Sequence, residues 1–175
     1  AVRHEVRRLV ERFGHGGLDA LLLKGTPLAY ALYPQAYLRT RSDTDVLVPE
    51  GQRDLAHQVL LDAGYVAEVT HARDLASYQR SYTYEDRAGL RHSIDLHWRL
   101  SNRQIFSRMF SFDELRASSE PVEALGPGAM TVSPVHAMLI ACLHRVTHIN
   151  SPYFVDGVRY LEGNRLIWLY DIHLL

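Results

Sequence analysis

The chain has 175 residues, is 47% apolar and 22% charged, and carries a formal net charge of -1. That length allows one domain with a real core, or a domain plus a small appendage, and the charge balance supplies no global field to attract nucleic acid or an anionic membrane. No apolar run approaches the ~18–20 residues of a membrane span, and the single cysteine, Cys142, excludes an intrachain disulfide and a cysteine-rich metal site.

No disulfide-linked partner is expected, and Ala1-Val2-Arg3-His4-Glu5 lacks the apolar core of a signal peptide. The expected compartment is therefore the cytoplasm. The chain opens without Met and closes on Leu169-Tyr170-Asp171-Ile172-His173-Leu174-Leu175, which reads as mid-helix, so both ends are expected to be incomplete.

Val2, Val6, Leu9, Val10 and Phe13 recur at helical spacing, with Arg3, Arg7, Arg8 and Arg12 largely on the other side. They predict an amphipathic helix stopped by Gly14 and Gly16-Gly17. A buried strand is expected over 18–23. Thr26 is expected to cap a helix that has Pro27 at its first position and runs to about Tyr33, ended by Pro34. A strand follows over 43–48 and a helix over 49–63, stopped by Gly64.

Three strands are expected over 65–69, 77–84 and 90–98, the last two joined by a turn at Asp86-Arg87-Ala88-Gly89. Short helices are expected over 104–110 and 113–117. A small hairpin is expected from 122–125 and 129–132 around Gly126-Pro127-Gly128. Ser133-Pro134 opens a helix to about His148, a loop covers 150–163, and a final helix starts near Asn164. This order is α+β, a small mixed sheet with flanking helices followed by a helical C-terminal part. The soft boundary lies near Thr131, giving a core over 1–131 and a helical region over 132–175.

The densest chemical signal is Asp43-Thr44-Asp45 ahead of Val46-Leu47-Val48. Strand side chains alternate faces, so both carboxylates leave one face. Side by side they repel and raise each other's pKa unless a cation sits between them, and a hard cation such as Mg²⁺ suits oxygen ligands and a phosphate-bearing substrate. A third carboxylate, Asp95, stands in Ser93-Ile94-Asp95-Leu96-His97-Trp98, where Ile94, Leu96 and Trp98 share one face and Asp95 and His97 the other. If the two strands are neighbours, three aspartates form one cluster able to hold two metal ions. The bland alternative is a set of solvated loop or cap residues.

Gly25-Thr26, between a strand end and a helix start, has the makings of a phosphate cradle: a backbone open to close approach, free helix N–H groups and a hydroxyl. A plain tight turn with an ordinary cap reads equally well. Lys24 is the only lysine against eighteen arginines. It is either an ammonium for phosphates or an ion-pair partner of one aspartate.

Leu23-Lys24-Gly25-Thr26, then Arg39-Thr40-Arg41-Ser42-Asp43-Thr44-Asp45-Val46-Leu47-Val48, then Ile94-Asp95-Leu96-His97-Trp98 resemble the uncharacterised nucleotidyltransferase family of the DNA polymerase β-like superfamily. The closing Asn164-Arg165-Leu166-Ile167-Trp168-Leu169-Tyr170-Asp171-Ile172 resembles that family's helical region. The resemblance implies the polymerase β-like fold and Mg²⁺, two ions with Mn²⁺ as substitute. It also implies transfer of a nucleoside monophosphate from an NTP to an acceptor hydroxyl of a small molecule, a protein or an RNA, with release of pyrophosphate. By motif position Asp43 and Asp45 match the paired metal ligands and Asp95 the third carboxylate. Gly25-Thr26 stands where the superfamily usually has Gly-Ser, and the gap to Asp43 is somewhat long.

Arg39 and Arg41 precede the acidic pair and are candidates, with Lys24, Gly25 and Thr26, for binding the nucleotide. His97 is read as a hydrogen-bonding partner behind the carboxylates rather than a base. His144 and His148, one turn apart, lack a third ligand and the Glu of zinc proteases, so a polar helix face is the better reading. Arg145 lies beside them. Asp171 is expected to be buried and paired, docking the last helix. The tyrosines of 77–84 are expected to pack in a half-buried strand rather than stack bases. The runner-up functions are a toxin-like nucleotidyltransferase of an abortive-infection or toxin–antitoxin system, whose tRNA acceptors would favour a basic groove, and a non-catalytic nucleotide-binding module.

Overall fold

A computed structural model of the chain describes residues 1–68, 77–148, 152–155, 158–161 and 165–175, with backbone alone for 152–155 and 158–161. It forms two compact units, Ala1–Ser133 and Pro134–Leu175.

The first unit opens with α1 (Val2–His15), whose Val6, Leu9 and Phe13 are buried. The expected strand over 18–23 shortens to β1 (Leu21–Leu23), and α2 (Gly25–Ala31) follows at once. Thr26 does not cap α2. The cap is Lys24, and Thr26 lies inside the helix, 1% exposed. Arg39 and Arg41 follow a 3-10 turn at Ala36–Leu38 that helical periodicity is too short to reveal. Next comes β2 (Thr44–Leu47). The expected helix over 49–63 divides into a 3-10 turn, Glu50–Gln52, and α3 (Arg53–Asp62). Gly64, at φ 91°, reverses the chain there, and Tyr65 N–H donates back to the Leu60 carbonyl at 3.0 Å.

The expected strand over 65–69 is β3 (Val66–Ala67), and Val69 lies outside the described residues. Strands β4 (Gln79–Glu85) and β5 (Arg91–His97) form the predicted hairpin. Asp86 shapes the turn by accepting from the Ala88 and Leu90 N–H groups at 2.8 and 3.0 Å. Helices α4 (Gln104–Ser107) and α5 (Phe112–Ala117) follow, the latter capped by Ser111.

The hairpin expected from 122–125 and 129–132 is different in the structure. Strand β6 (Glu120–Pro121) pairs with β7 (Met130–Thr131), and Glu123–Leu125 is a 3-10 turn. Val122 and Leu125 are buried in the core, so their apolar character reports packing rather than a strand.

The sheet runs in the order β3-β4-β5-β2-β1-β7-β6. It is mixed: β2 pairs β5 in parallel and β1 antiparallel, while β1 pairs β7 in parallel. Alternation assigns its two faces opposite tasks. Val46, Val48, Tyr82, Ile94 and Leu96 enter one core with Val6, Leu9 and Phe13 of α1 and Ala56 and Leu60 of α3. Asp45, Asp95, His97 and Ser81, one residue out of phase, leave the other face.

The core also holds a buried polar network. Glu5, 6% exposed, accepts from Arg8 at 2.6 Å and from the Tyr65 hydroxyl at 2.7 Å. Unpaired, that carboxylate would be too costly to bury.

The second unit contains α6 (Pro134–His148), a hairpin of β8 (Pro152–Val155) and β9 (Val158–Leu161), and α7 (Leu166–Leu174). The hairpin replaces the loop expected over 150–163. Asn164, the expected start of the last helix, lies outside the described residues. The His144 ring stands edge-on to Trp168 at 4.9 Å and lies 4.3 Å from that of His148, so this histidine pair packs against an indole. Among the described residues, no helix is long and apolar enough to cross a membrane.

Candidate active site

Two parallel strands in matched register build the site. Asp45 on β2 stands directly opposite Asp95 on β5, and Leu47 opposite His97. Because both strands alternate in phase, Asp45, Asp95 and His97 project from the same face. Their ligand atoms all lie within 4.8 Å of one another, a group able to hold a metal ion. Asp43 lies just before β2 and is not a member of that group.

Each carboxylate has its own environment. Asp45 is buried, and its Oδ1 accepts from Lys24 Nζ at 2.6 Å and pairs with His97 Nε2 at 2.9 Å. Burial alone would push this carboxyl up, but the Lys24 ammonium and the His97 contact outweigh it and hold the group well below the usual carboxylate range. Asp43 shows the opposite. Burial first, then the charges of Asp45 and Asp95, raise its pKa, and Lys24 offsets them only in part. Asp95, half-buried, accepts from the Ser81 hydroxyl at 2.6 Å.

Lys24 reaches Asp45 from the end of β1, since Leu23 is the register partner of Asp45. Its backbone sits at φ 54°, and it is the only non-glycine residue with positive φ among the described residues. Such a conformation costs of order 1–3 kcal/mol and persists where its surroundings over-determine it. Next to it, a Cβ on Gly25 would meet the Arg39 guanidinium at 3.5 Å. Arg39 is buried and donates to the Thr40 carbonyl at 2.6 Å. Thr26 Oγ1 lies 3.0 Å from Thr44 Oγ1 and 3.5 Å from the Asp43 carbonyl, tying α2 to β2. Arg41 donates to the Ala36 and Arg39 carbonyls at 3.3 and 3.2 Å and lies over the Tyr30 ring at 5.2 Å. Its Nε is buried without a hydrogen-bond partner, the one such side-chain atom among the described residues.

The structure therefore gathers Lys24, Asp45, Asp95 and His97 directly, with Asp43 coupled to them through charge. The Arg39 guanidinium lies over the side of Gly25 that a Cβ would occupy, beside Lys24. Sequence reasoning missed Ser81. Its only signal was the register of a hairpin, which pairs Ser81 with Asp95. The tyrosines of β4 serve packing: Tyr82 is buried with its hydroxyl 2.8 Å from His57 Nδ1, and Tyr84 stacks on His92.

Two solved structures share this architecture. An antigenic nucleotidyltransferase-like protein from Paracoccidioides brasiliensis superposes with a TM-score of 0.58 at 11% identity, covering 98% of this chain and 73% of its own. The antibiotic-resistance factor ANT(2'')-Ia superposes with a TM-score of 0.59 at 10% identity, covering 99% of this chain and 83% of its own. At such identities the likeness is one of fold, the polymerase β-like nucleotidyltransferase fold. No curated protein matches the sequence. The family described as uncharacterised nucleotidyltransferase matches residues 1–175, and the chain belongs to this family of transferases.

Proposed function

We propose that this protein moves a nucleoside monophosphate from an NTP to an acceptor hydroxyl, releasing pyrophosphate, with divalent metal ions held by Asp43, Asp45 and Asp95. The observation that carries this reading is the register match of Asp45 and Asp95 on adjacent parallel strands, with their ligand atoms in one group.

The donor set fits a hard cation. Asp43, Asp45 and Asp95 have Lys24 as their nearby ammonium; burial and then the charges of Asp45 and Asp95 raise the Asp43 pKa, and Lys24 offsets them only in part. Mg²⁺, as two ions and with Mn²⁺ as substitute, would lower the pKa of the attacking hydroxyl and neutralise charge on the triphosphate and the leaving pyrophosphate.

The chain's own residues do the rest. His97 and Lys24 hold one oxygen of Asp45 in place. Arg39 and Arg41 bring two guanidinium groups to the segment before the acidic pair, where they would offset triphosphate charge. Gly25 stands beside Lys24 at the start of α2, and Thr26 holds that helix against β2 through Thr44. The acceptor is a hydroxyl of a small molecule, protein or RNA. The net charge of -1 favours no polyanion.

The test is incubation with Mg²⁺ and each labelled NTP, together with cell extract separated into protein, RNA and small-molecule fractions. Wild type should transfer label into one fraction, and the Asp43→Ala/Asp45→Ala double variant should not. Equal transfer by both would overturn the assignment.

A further inference from the structure

Both carboxylates of the register-matched pair have one oxygen engaged from beside or behind. Asp95 Oδ1 accepts from the Ser81 hydroxyl at 2.6 Å, a short charge-assisted bond. Asp45 Oδ1 takes both Lys24 Nζ and His97 Nε2. Ser81 is itself fixed on two sides. It is the register partner of Asp95 on β4, and its carbonyl accepts from the Glu68 N–H at 2.9 Å. A serine there reaches across one strand spacing to the neighbouring carboxylate, as cross-strand pairs do.

We propose that Ser81 is a positioning residue for Asp95 which, with His97 on Asp45, favours ligation through one oxygen of each carboxylate and thereby selects Mg²⁺ or Mn²⁺ over Ca²⁺. Ca²⁺ takes about 6–8 oxygen ligands and commonly uses both oxygens of a carboxylate, whereas Mg²⁺ demands octahedral geometry and draws few oxygens from the protein. An oxygen that already accepts from a hydroxyl is turned towards that donor and is a poorer second ligand, which suits a small octahedral cation and penalises the two-oxygen contact that Ca²⁺ favours. The inference rests on the proposed metal-binding role of Asp45 and Asp95.

The experiment titrates the whole protein with Mn²⁺, followed by water-proton relaxation, and then displaces it with Ca²⁺. Wild type, Ser81→Ala and Ser81→Thr are compared. Removing a group that supports a metal ligand costs about 10–100-fold in affinity; here that loss should fall on Mn²⁺ and not on Ca²⁺, so the Mn²⁺-to-Ca²⁺ affinity ratio should fall about tenfold in Ser81→Ala. Ser81→Thr, which keeps the hydroxyl, should retain the wild-type ratio. A general loss of structure would weaken both cations together and leave the ratio unmoved. If Ser81→Ala does not fold, Ser81→Cys, with its weak thiol donor, is read the same way. An unchanged ratio in folded Ser81→Ala, or in folded Ser81→Cys where the alanine variant does not fold, overturns this inference alone, and no Mn²⁺ binding by wild type overturns it together with the metal site.

Discussion

Lys24 donates to Asp45 across 2.6 Å from a backbone held at φ 54°. The chain accepts a conformation that disfavours side chains in order to place its only lysine against a buried carboxylate. Removing the ammonium in Lys24→Met leaves that charge with His97 alone and should cost about 3 kcal/mol. Lys24→Gly removes the same charge but relieves the backbone, so it should be less destabilised than Lys24→Met by up to about 1 kcal/mol. Urea midpoints of the two variants check the order, and the reverse order would show that φ carries no strain here.

Asp43 should be more valuable to the reaction than to the fold. Its pKa is raised by burial and by Asp45 and Asp95, so its ionised form costs stability at neutral pH. In EDTA, Asp43→Asn should be stabilised by about 1 kcal/mol, or roughly 3 °C in Tm. Nucleotidyl transfer in Mg²⁺ should fall by about a hundredfold or more. Thermal melts and label transfer on the same preparation test both halves.

Glu5 should govern part of the acid limb of stability. Burial would raise its pKa, but the bonds from Arg8 and Tyr65 lower it below the unfolded value of 4.5. A depressed carboxyl stabilises the fold above that value and loses its contribution as pH falls through the lower, folded pKa. Glu5→Gln should cost about 2 kcal/mol at pH 7, and the gap to wild type should close progressively below pH 4.5. Urea titrations at several pH values measure it, and a gap independent of pH would contradict the linkage.

Gly25 and Thr26 should separate cleanly. A Cβ on Gly25 meets Arg39 at ordinary contact distance, so Gly25→Ala should fold with an unchanged Tm while the KM for NTP rises, as close approach of phosphate to backbone requires. Thr26→Val should do the converse. Its hydroxyl is buried against Thr44, so the loss is about 1 kcal/mol of stability with the bond. Thermal melts paired with NTP titrations distinguish the two.

The elements that periodicity marks strongly were legible: α1 from Val6, Leu9 and Phe13, the β4–β5 hairpin from Asp86 to Gly89, and α6 behind Ser133-Pro134. The short ones were not. The 3-10 turn at Glu123–Leu125 looked like a strand because Val122 and Leu125 are apolar for the sake of a core that local sequence does not describe. Thr26 looked like a cap because capping chemistry is local, yet the helix begins earlier, where Lys24 turns the chain to reach Asp45.

By itself, the sequence determined the chemistry available: an acidic pair ahead of an apolar run, the shared face of Asp95 and His97 that local alternation imposes, and a lone lysine beside a glycine. Only the tertiary structure decided that β2 lies parallel to β5 with Asp45 against Asp95, that Lys24 and His97 meet on one oxygen, and that Ser81 supports the other strand. Strand pairing and register are set by which apolar faces share a core, and those partners lie dozens of residues apart in the chain.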